Sequence, residues 1–431
     1  MAEYKFLNPN IKIDGMKNAF IIFCLCFFSV QLQAQAVLNL QQIKDSIYRH
    51  HPSFKMFDAA SKSLQEEASG AYSWSAPQVG AGFFMTPYNP EKWKVMNGQP
   101  GMGAFMISAE QMFPNKQKQQ TTFAYLNERA NVEQQKKQVS LNEYMFQAQS
   151  SYWSWVIAEK KLNVIQQQQL LLKQMLQQAE IQYSNNISTL NGYYKTKSAL
   201  ENLKNTAWQL QSVIAQSKVM LNTLMNRSGS TDLLIDTTIQ WTDFNDAMFA
   251  PEALQQKSEL QVLDAAMKVN KLQYDAEMNQ LKPEYGVRFD QMMGWAKQPW
   301  LFTAMLTVKL PFAKWAAKAN KAKAQSLLTE NQSLNLQKQV IINDAVGKAN
   351  TLWLQLKLKK QQLQLYTDKI IPALQKNYET ANTAFAQNTG NLFELFDAWQ
   401  TLYDTNIMFL NEEEAALQLQ AELLKVTEIK L

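Results

Sequence analysis

From residue 115 onward, leucine, alanine, isoleucine and valine recur at spacings of four and seven, with glutamine and lysine filling the positions between them. The stretch from Asn115 to about Asn185 contains neither proline nor glycine. At 1.5 Å per residue it predicts a helix of roughly 105 Å. A second helix of similar length is predicted from Pro311 to Asn388. Gly347 is tolerated inside it, whereas Pro372 lacks an amide donor and predicts a kink near Ile370–Ile371. Within this second helix Leu354, Leu358 and Leu365 form one apolar row, and Leu356 and Leu363 form another. A lone helix cannot bury such stripes, so these helices must pack lengthwise against others.

Four segments change period from about four to two. Phe302, Ala304, Leu306, Val308 and Leu310 alternate with Thr303, Met305, Thr307 and Lys309. Tyr285, Val287 and Phe289 alternate with Glu284, Gly286, Arg288 and Asp290. Phe105, Ile107 and Ala109 alternate with Met106, Ser108 and Glu110, and Val79, Ala81 and Phe83 follow more weakly. One apolar and one polar face over stretches approaching ten residues is the pattern of a strand between lipid and water. A strand half-buried on a soluble core gives the same alternation. Four strands do not close a membrane barrel, and open edges are intolerable in lipid. Strands that enter lipid therefore require several copies of the chain: two would supply eight strands and three would supply twelve.

These elements occur twice. "SAPQVGAGF" at 75–83 echoes "LKPEYGVRF" at 281–289, and "SAEQMFPNK" at 108–116 echoes "LTVKLPFAK" at 306–314. Tyr183, Asn186 and Leu190 match Phe385, Asn388 and Leu392 at a constant offset of 202. An internal repeat divides the chain into a first unit at 37–226, a linker at 227–252 rich in Ser, Thr, Asp and Gly, and a second unit at 253–431. Each unit reads helix, strand, loop, strand, very long helix, tight turn, helix. The two long helices break at the two turns, where asparagine tolerates the positive φ that such a turn needs.

Composition narrows the function. Glycine and proline total only 25 among 431 residues, the balance of long helices rather than of a compact α/β enzyme. The net charge of +5 is dispersed and gives no argument for nucleic acid; "QQKKQ" at 134–138 and "LKLKKQQ" at 356–362 read as solvated helix faces. Two His and two Cys limit catalysis and metal binding from the start, and no triad, phosphate loop or metal motif is present. His50 and His51, adjacent and therefore on different helix faces, read as an exposed pair near a helix end. No cofactor is expected, and the chain is not read as an enzyme.

Residues 1–36 read as an upstream extension followed by a secretory signal peptide. Met16 is the start, Lys17 supplies the positive end, Ala19 to Val30 the apolar run, and Ala34-Gln35-Ala36 the cleavage point. Cys24 and Cys26 both fall inside it, and Phe23 and Leu25 are too large for the residue that precedes a lipid-bearing cysteine. The mature chain is then exported and free of disulfides.

With these features together, the chain resembles the TolC-type outer-membrane efflux family. "FAQNTGNLFELFDAWQTL" fits that family's tip pattern through Phe385, Leu392, Glu394, Leu395, Asp397 and Ala398, and "IIPALQKNYETANTAF" resembles the segment before it. The first repeat keeps Tyr183, Leu190 and Leu200, but Gly192 and Lys195 stand where Glu394 and Asp397 do. Asparagine replaces the family glycine at both turns. The resemblance covers about residues 37–428.

It implies a mainly helical homotrimer with a small β part. Long antiparallel hairpins would form an α-barrel across the periplasm of a Gram-negative bacterium, continued by a twelve-stranded transmembrane β-barrel with four strands per protomer. The partners it implies are outer-membrane lipid, a periplasmic adaptor (membrane fusion protein) and, through it, an inner-membrane pump. The tips Asn186, Ser188, Thr189 and Leu190, and Asn388, Gly390, Asn391 and Leu392, are expected to meet the adaptor. Glu394 and Asp397, repeated by symmetry, would ring the aperture, admitting cations or bonding Lys195 or Lys197; a solvated helix face is the plainer alternative.

Two further groups stand out near the strands. Met85, Met96, Met102, Met106, Met112, Met292 and Met293 are soft thioethers suited to Cu(I) or Ag(I), or simply apolar filler. Tyr88, Trp93, Trp295 and Trp300 suit an interfacial aromatic belt. The competing reading is a structural periplasmic coiled-coil protein, or the adaptor itself. An adaptor would show one hairpin flanked by β-rich modules instead of two hairpins with amphipathic strands.

Overall fold

A computed structural model describes residues 37–184, 190–387 and 389–429. Residues 1–36, with the expected signal peptide, and Asn186, Ser188, Thr189 and Asn388 at the tips lie outside the described residues.

The chain begins with β1 (Val37–Leu38), α1 (Leu40–His50) and α2 (Pro52–Ser69), followed by β2 (Gln78–Phe84) and β3 (Ala104–Phe113). Then comes α3 (Lys116–Ser184), 69 residues long. Asn115 starts it by accepting the Gln117 amide at 2.9 Å on its side chain. The helix α4 (Leu190–Leu224) returns along it, and a strap containing β4 (Leu234–Ile235) leads to α5 (Ser258–Asn279). The second half repeats the order with β5 (Glu284–Gly294), β6 (Leu301–Lys309), α6 (Lys314–Leu365), α7 (Ile371–Ala386) and α8 (Leu392–Thr427). Between α6 and α7 the backbone passes through one π turn, Tyr366–Ile370. Pro372 follows it, and the extra residue in that turn accommodates a position that cannot donate an amide.

The strands β2, β3, β5 and β6 form one antiparallel sheet in that order. The helices leave from one end of the sheet, so the β2–β3 and β5–β6 connections lie at the other. The strap is no loose linker: Leu233 and Ile235 join the core around Tyr152, Trp153 and Leu417, and Phe244 and Phe249 join that around Leu352 and Leu356. β1 pairs parallel with β4.

The end of α8 is clasped to the start of α5. The Glu428 carboxylate accepts from the Ser258 amide and hydroxyl, both at 2.9 Å, and Lys257 donates to the Val426 carbonyl at 2.6 Å. The two leucine rows of α6 separate cleanly. Leu356 and Leu363 are buried in the chain, whereas Leu354, Leu358 and Leu365 are about half exposed.

Candidate functional site

Two surfaces are candidates for function: the tip of the hairpins and the sheet. At the tip, Phe385 closes α7 into a core with Leu392, Leu395, Phe396 and Trp399. The amides of Thr389 and Gly390 both donate to the Ala384 carbonyl, at 2.9 and 3.0 Å, which caps the end of α7. Gly390 is tightly seated, since a β-carbon there would lie 3.0 Å from Ala384 Cβ. Asn391 starts α8: its side-chain oxygen accepts the Glu394 amide and its nitrogen donates to Glu394 Oε1, both at 2.9 Å.

The tips of the two repeats lock together. A β-carbon on Gly192 would fall 2.7 Å from Leu392 Cδ2. Gly192, where the second repeat has Glu394, is thus the space that Leu392 fills. Thr196, fully buried, donates to the Gly192 carbonyl at 3.0 Å. Deeper in, Trp399 Nε1 donates to Gln168 Oε1 at 2.7 Å, a buried bond between α8 and α3. A groove of about 390 Å³ runs between α4 and α8, lined by Lys195, Asn202, Phe396, Trp399, Tyr403 and Asp404 among others.

The structure shows where the sequence-predicted residues lie, and Leu392 and His51 differ from expectation. Leu392 is 4% exposed and packs against Gly192, so it is spent inside the chain and not offered outward. Its counterpart Leu190 is exposed. Among the described residues neither Glu394 nor Asp397 pairs with Lys195 or Lys197. Lys195 Nζ lies over the Phe396 ring, 4.4 Å from its centroid, and Lys197 Nζ is 5.9 Å from that of Tyr193. Glu394 is engaged in capping, and Asp397 remains on the exposed face of α8. His51 is not exposed as a pair with His50: its ring packs against that of Tyr144, tilted by 38° with centroids 4.1 Å apart, and it starts α2 by accepting the Ser53 amide. Partial burial holds its pKa below the ordinary histidine value. Among the described residues no His, Cys, Asp and Glu cluster could hold a metal. Two exposed tip aromatics, Tyr194 and Phe393, were missed by sequence reasoning. The signal lay in the helical period, because inward Leu392 turns Phe393 outward.

The register of the sheet separates two chemistries. Val79, Ala109, Phe289 and Ala304 lie in one row across the four strands, flanked by Ala81, Ile107, Gln291 and Phe302. This face is bare: Phe83 and Phe302 are 70% exposed and Leu306 72%. The opposite face carries Ser108, Glu110, Arg288, Asp290 and Thr303, with Arg288 Nε donating to Asp290 Oδ1 at 3.0 Å. It also places Met106 directly opposite Met292.

Aromatic residues collect at both ends of the apolar band. Phe83, Trp93 and Trp295 cluster at the loop end, with ring centroids 5.8–6.4 Å apart. Trp74, Phe113, Tyr285 and Trp315 stand exposed at the helix end. Among the described residues no helix is long and apolar enough to cross a membrane. Among the described residues nothing pairs with the outer edge of β2 or of β6.

No family model matches the chain, and no curated protein does. Solved structures do. CusC aligns over 93% of this chain and 95% of its own, with a TM-score of 0.70 at 12% identity. The CmeC outer membrane channel of Campylobacter jejuni aligns over 90% and 85%, at 0.68 and 10%. The MtrE outer membrane channel of Neisseria gonorrhoeae, in its open state, aligns over 90% and 88%, at 0.67 and 12%. The chain has the TolC-type fold.

Proposed function

We propose that the chain is the exit duct of a tripartite efflux or secretion system, sited in the outer membrane of a Gram-negative bacterium. The observation that carries this is the four-stranded sheet, bare and apolar on one face, polar on the other and unpaired at both edges. Only closure with further copies satisfies those edges in lipid. Three copies give the twelve strands of a barrel, continued by a tunnel of helical hairpins roughly 100 Å long. The exposed row Leu354, Leu358 and Leu365 on α6 and Trp208 on α4 suit contact with a neighbouring copy. Likeness in fold to outer-membrane channels supports the reading. No bond is made or broken in it.

A periplasmic adaptor docks at the tips and links the duct to an inner-membrane pump. Leu190, Tyr194, Asn391 and Phe393 are the exposed groups available to it, and Gly390 shapes the turn. Asp397, repeated by symmetry, is a cation site at the aperture. Conductance blocked by divalent cations and relieved in Asp397→Ala supports this; block that survives the substitution removes Asp397 from the gate.

The cargo has two readings. Drug-like compounds need nothing special of the wall. Soft metal ions, Cu(I) or Ag(I), are favoured by one observation, the Met106–Met292 pair on the polar face. Copper and silver tolerance against dye tolerance in a deletion strain separates the two. Planar-bilayer recording of the purified protein tests the duct itself. Discrete channels from detergent-extracted oligomer are expected, and a water-soluble monomer without conductance overturns the proposal.

A further inference from the structure

The loop end of the sheet carries a charge pattern that conduction does not explain. The β2–β3 connection spans residues 85–103, yet it is ordered against the β5–β6 turn. The Gly101 amide donates to the Ala296 carbonyl at 3.1 Å, and the Met102 amide to the Lys92 carbonyl at 2.8 Å. Gly101 is the point of closure: a β-carbon there would fall 2.1 Å from the Trp93 carbonyl oxygen and 2.8 Å from Ala296 Cβ.

Three lysines are chain neighbours of the residues that meet at Gly101. Lys92 and Lys94 flank Trp93, and Lys297 follows Ala296; all three are exposed. Glu91 is the one carboxylate in residues 85–103 and 295–300, 3.8 Å from Lys94 with both side chains 73% exposed. Among the described residues Lys92 and Lys297 have no carboxylate partner. Lys297 also stands at an unusual place. Trp295 to Gln298 is a tight turn, closed by Gln298 donating to the Trp295 carbonyl at 3.1 Å, with Ala296 at φ 53° and Lys297 at φ 67°. Those positions ordinarily take Asn-Gly, because β-carbons are disfavoured at positive φ. Below the lysines the sheet continues directly into the bare apolar face through Phe83 and Phe302, both 70% exposed.

We infer that this rim binds a phosphorylated glycolipid of the outer leaflet, its phosphates held by Lys92, Lys94 and Lys297 and its acyl chains lying along the Phe83–Phe302 face. The inference rests on the outer-membrane reading above, which puts the end opposite the helices at the outer surface. Three exposed lysines on the two connections that meet at Gly101 give this rim a positive charge that complements phosphate, and the Trp93 and Trp295 rings beside them fit the headgroup depth. The continuity of charge with apolar surface selects a lipid over a free ion.

The test uses the full-length protein in nanodiscs of neutral phosphatidylcholine, titrated with purified lipid A, with lipid A stripped of its phosphates, and with inorganic phosphate. Binding is read by native mass spectrometry and by the heat-dissociation midpoint of the oligomer. Phosphorylated lipid A is expected to bind and raise the midpoint. The triple variant Lys92→Gln/Lys94→Gln/Lys297→Gln should weaken it at least about tenfold at low salt, while the triple arginine variant stays within about twofold. If the glutamine variant fails to assemble, the salt dependence of the unmodified protein decides: affinity must fall as salt rises. Equal binding of the dephosphorylated lipid, equal protection by inorganic phosphate, or salt-independent binding each overturns the inference. Channels in bilayer recording without lipid A preference would sink this inference alone; failure of both sinks the duct.

Discussion

At the scale of single residues, the tip is held by a few atoms whose loss can be weighed. Trp399→Phe removes the donor from Gln168 and leaves a buried amide oxygen unpaired, which costs about 1–3 kcal/mol. Adding Gln168→Leu to that variant should restore part of the loss, since both polar groups are then gone; denaturant midpoints of the two variants read this. Gly390→Val drives a methyl-bearing carbon into Ala384 and should reduce efflux while leaving assembly and export intact. Drug tolerance at wild-type level in that variant, with normal amounts of assembled protein, would take the turn out of the mechanism. The sequence made Gly390, Asn391 and Glu394 visible as a tip, because capping and turn chemistry are local. It did not reveal that Leu392 faces inward, because the space it fills is made by Gly192, two hundred residues away. Nor did it reveal the perch of Lys195 on Phe396, which depends on how the two hairpins meet.

At the scale of elements, the long helices were legible because their period is sustained and uninterrupted. Which of two leucine rows on α6 turns inward was not, since both rows have the same composition and only the neighbouring helices α5 and α8 distinguish them. Ion pairs between elements give a pH test. Asp58 on α2 is held below the ordinary carboxylate value first by its bond from Lys137 on α3, and Glu143 on α3 by its bond from Lys425 on α8. Carboxylates with lowered folded values stabilise the fold above their unfolded values, 3.8 and 4.5, and lose that contribution as pH falls through the folded ones. Tyr152 behaves in the opposite sense. Burial, and then the Asp236 charge, push it up to about 12, so its contribution is complete below pH 10 and lost between 10 and 12. The thermal midpoint should therefore hold level only from about pH 7 to 9: below 6.5 it falls first because protonating partly buried His51 costs more in the folded state, then through the two carboxylates, and above 10 it falls through Tyr152. Lys425→Met should flatten part of the acid limb and leave the alkaline limb unchanged.

At the scale of the whole molecule, the question is how many copies close the wall, and the sheet itself supplies the ruler. β2 and β6 are separated within one chain by two intervening strands, about 14 Å at the usual strand spacing. A disulfide reaches Cα atoms no more than about 7 Å apart. Residues 37–431 contain no cysteine, so cysteines placed once on β2 and once on β6 can join only between copies. Scanning Gly80→Cys against Thr303→Cys and neighbouring positions finds the register by its product. At the right pair, oxidation should convert the chain through a dimer band to one terminal product. If three sheets complete the barrel, that product is a closed covalent trimer, and no larger species accumulates however long oxidation runs. A ladder that continues past three, or an intramolecular bond, would mean that the edges meet something other than each other in a three-fold ring. Leu306→Arg gives the companion result on the bare face. A cation near mid-bilayer costs about 2–4 kcal/mol in a barrel, so oligomer recovered from the membrane should fall steeply, whereas Thr303→Arg on the polar face should assemble. Equal tolerance of both substitutions would remove lipid from the apolar side and, with it, the reason for the wall to close.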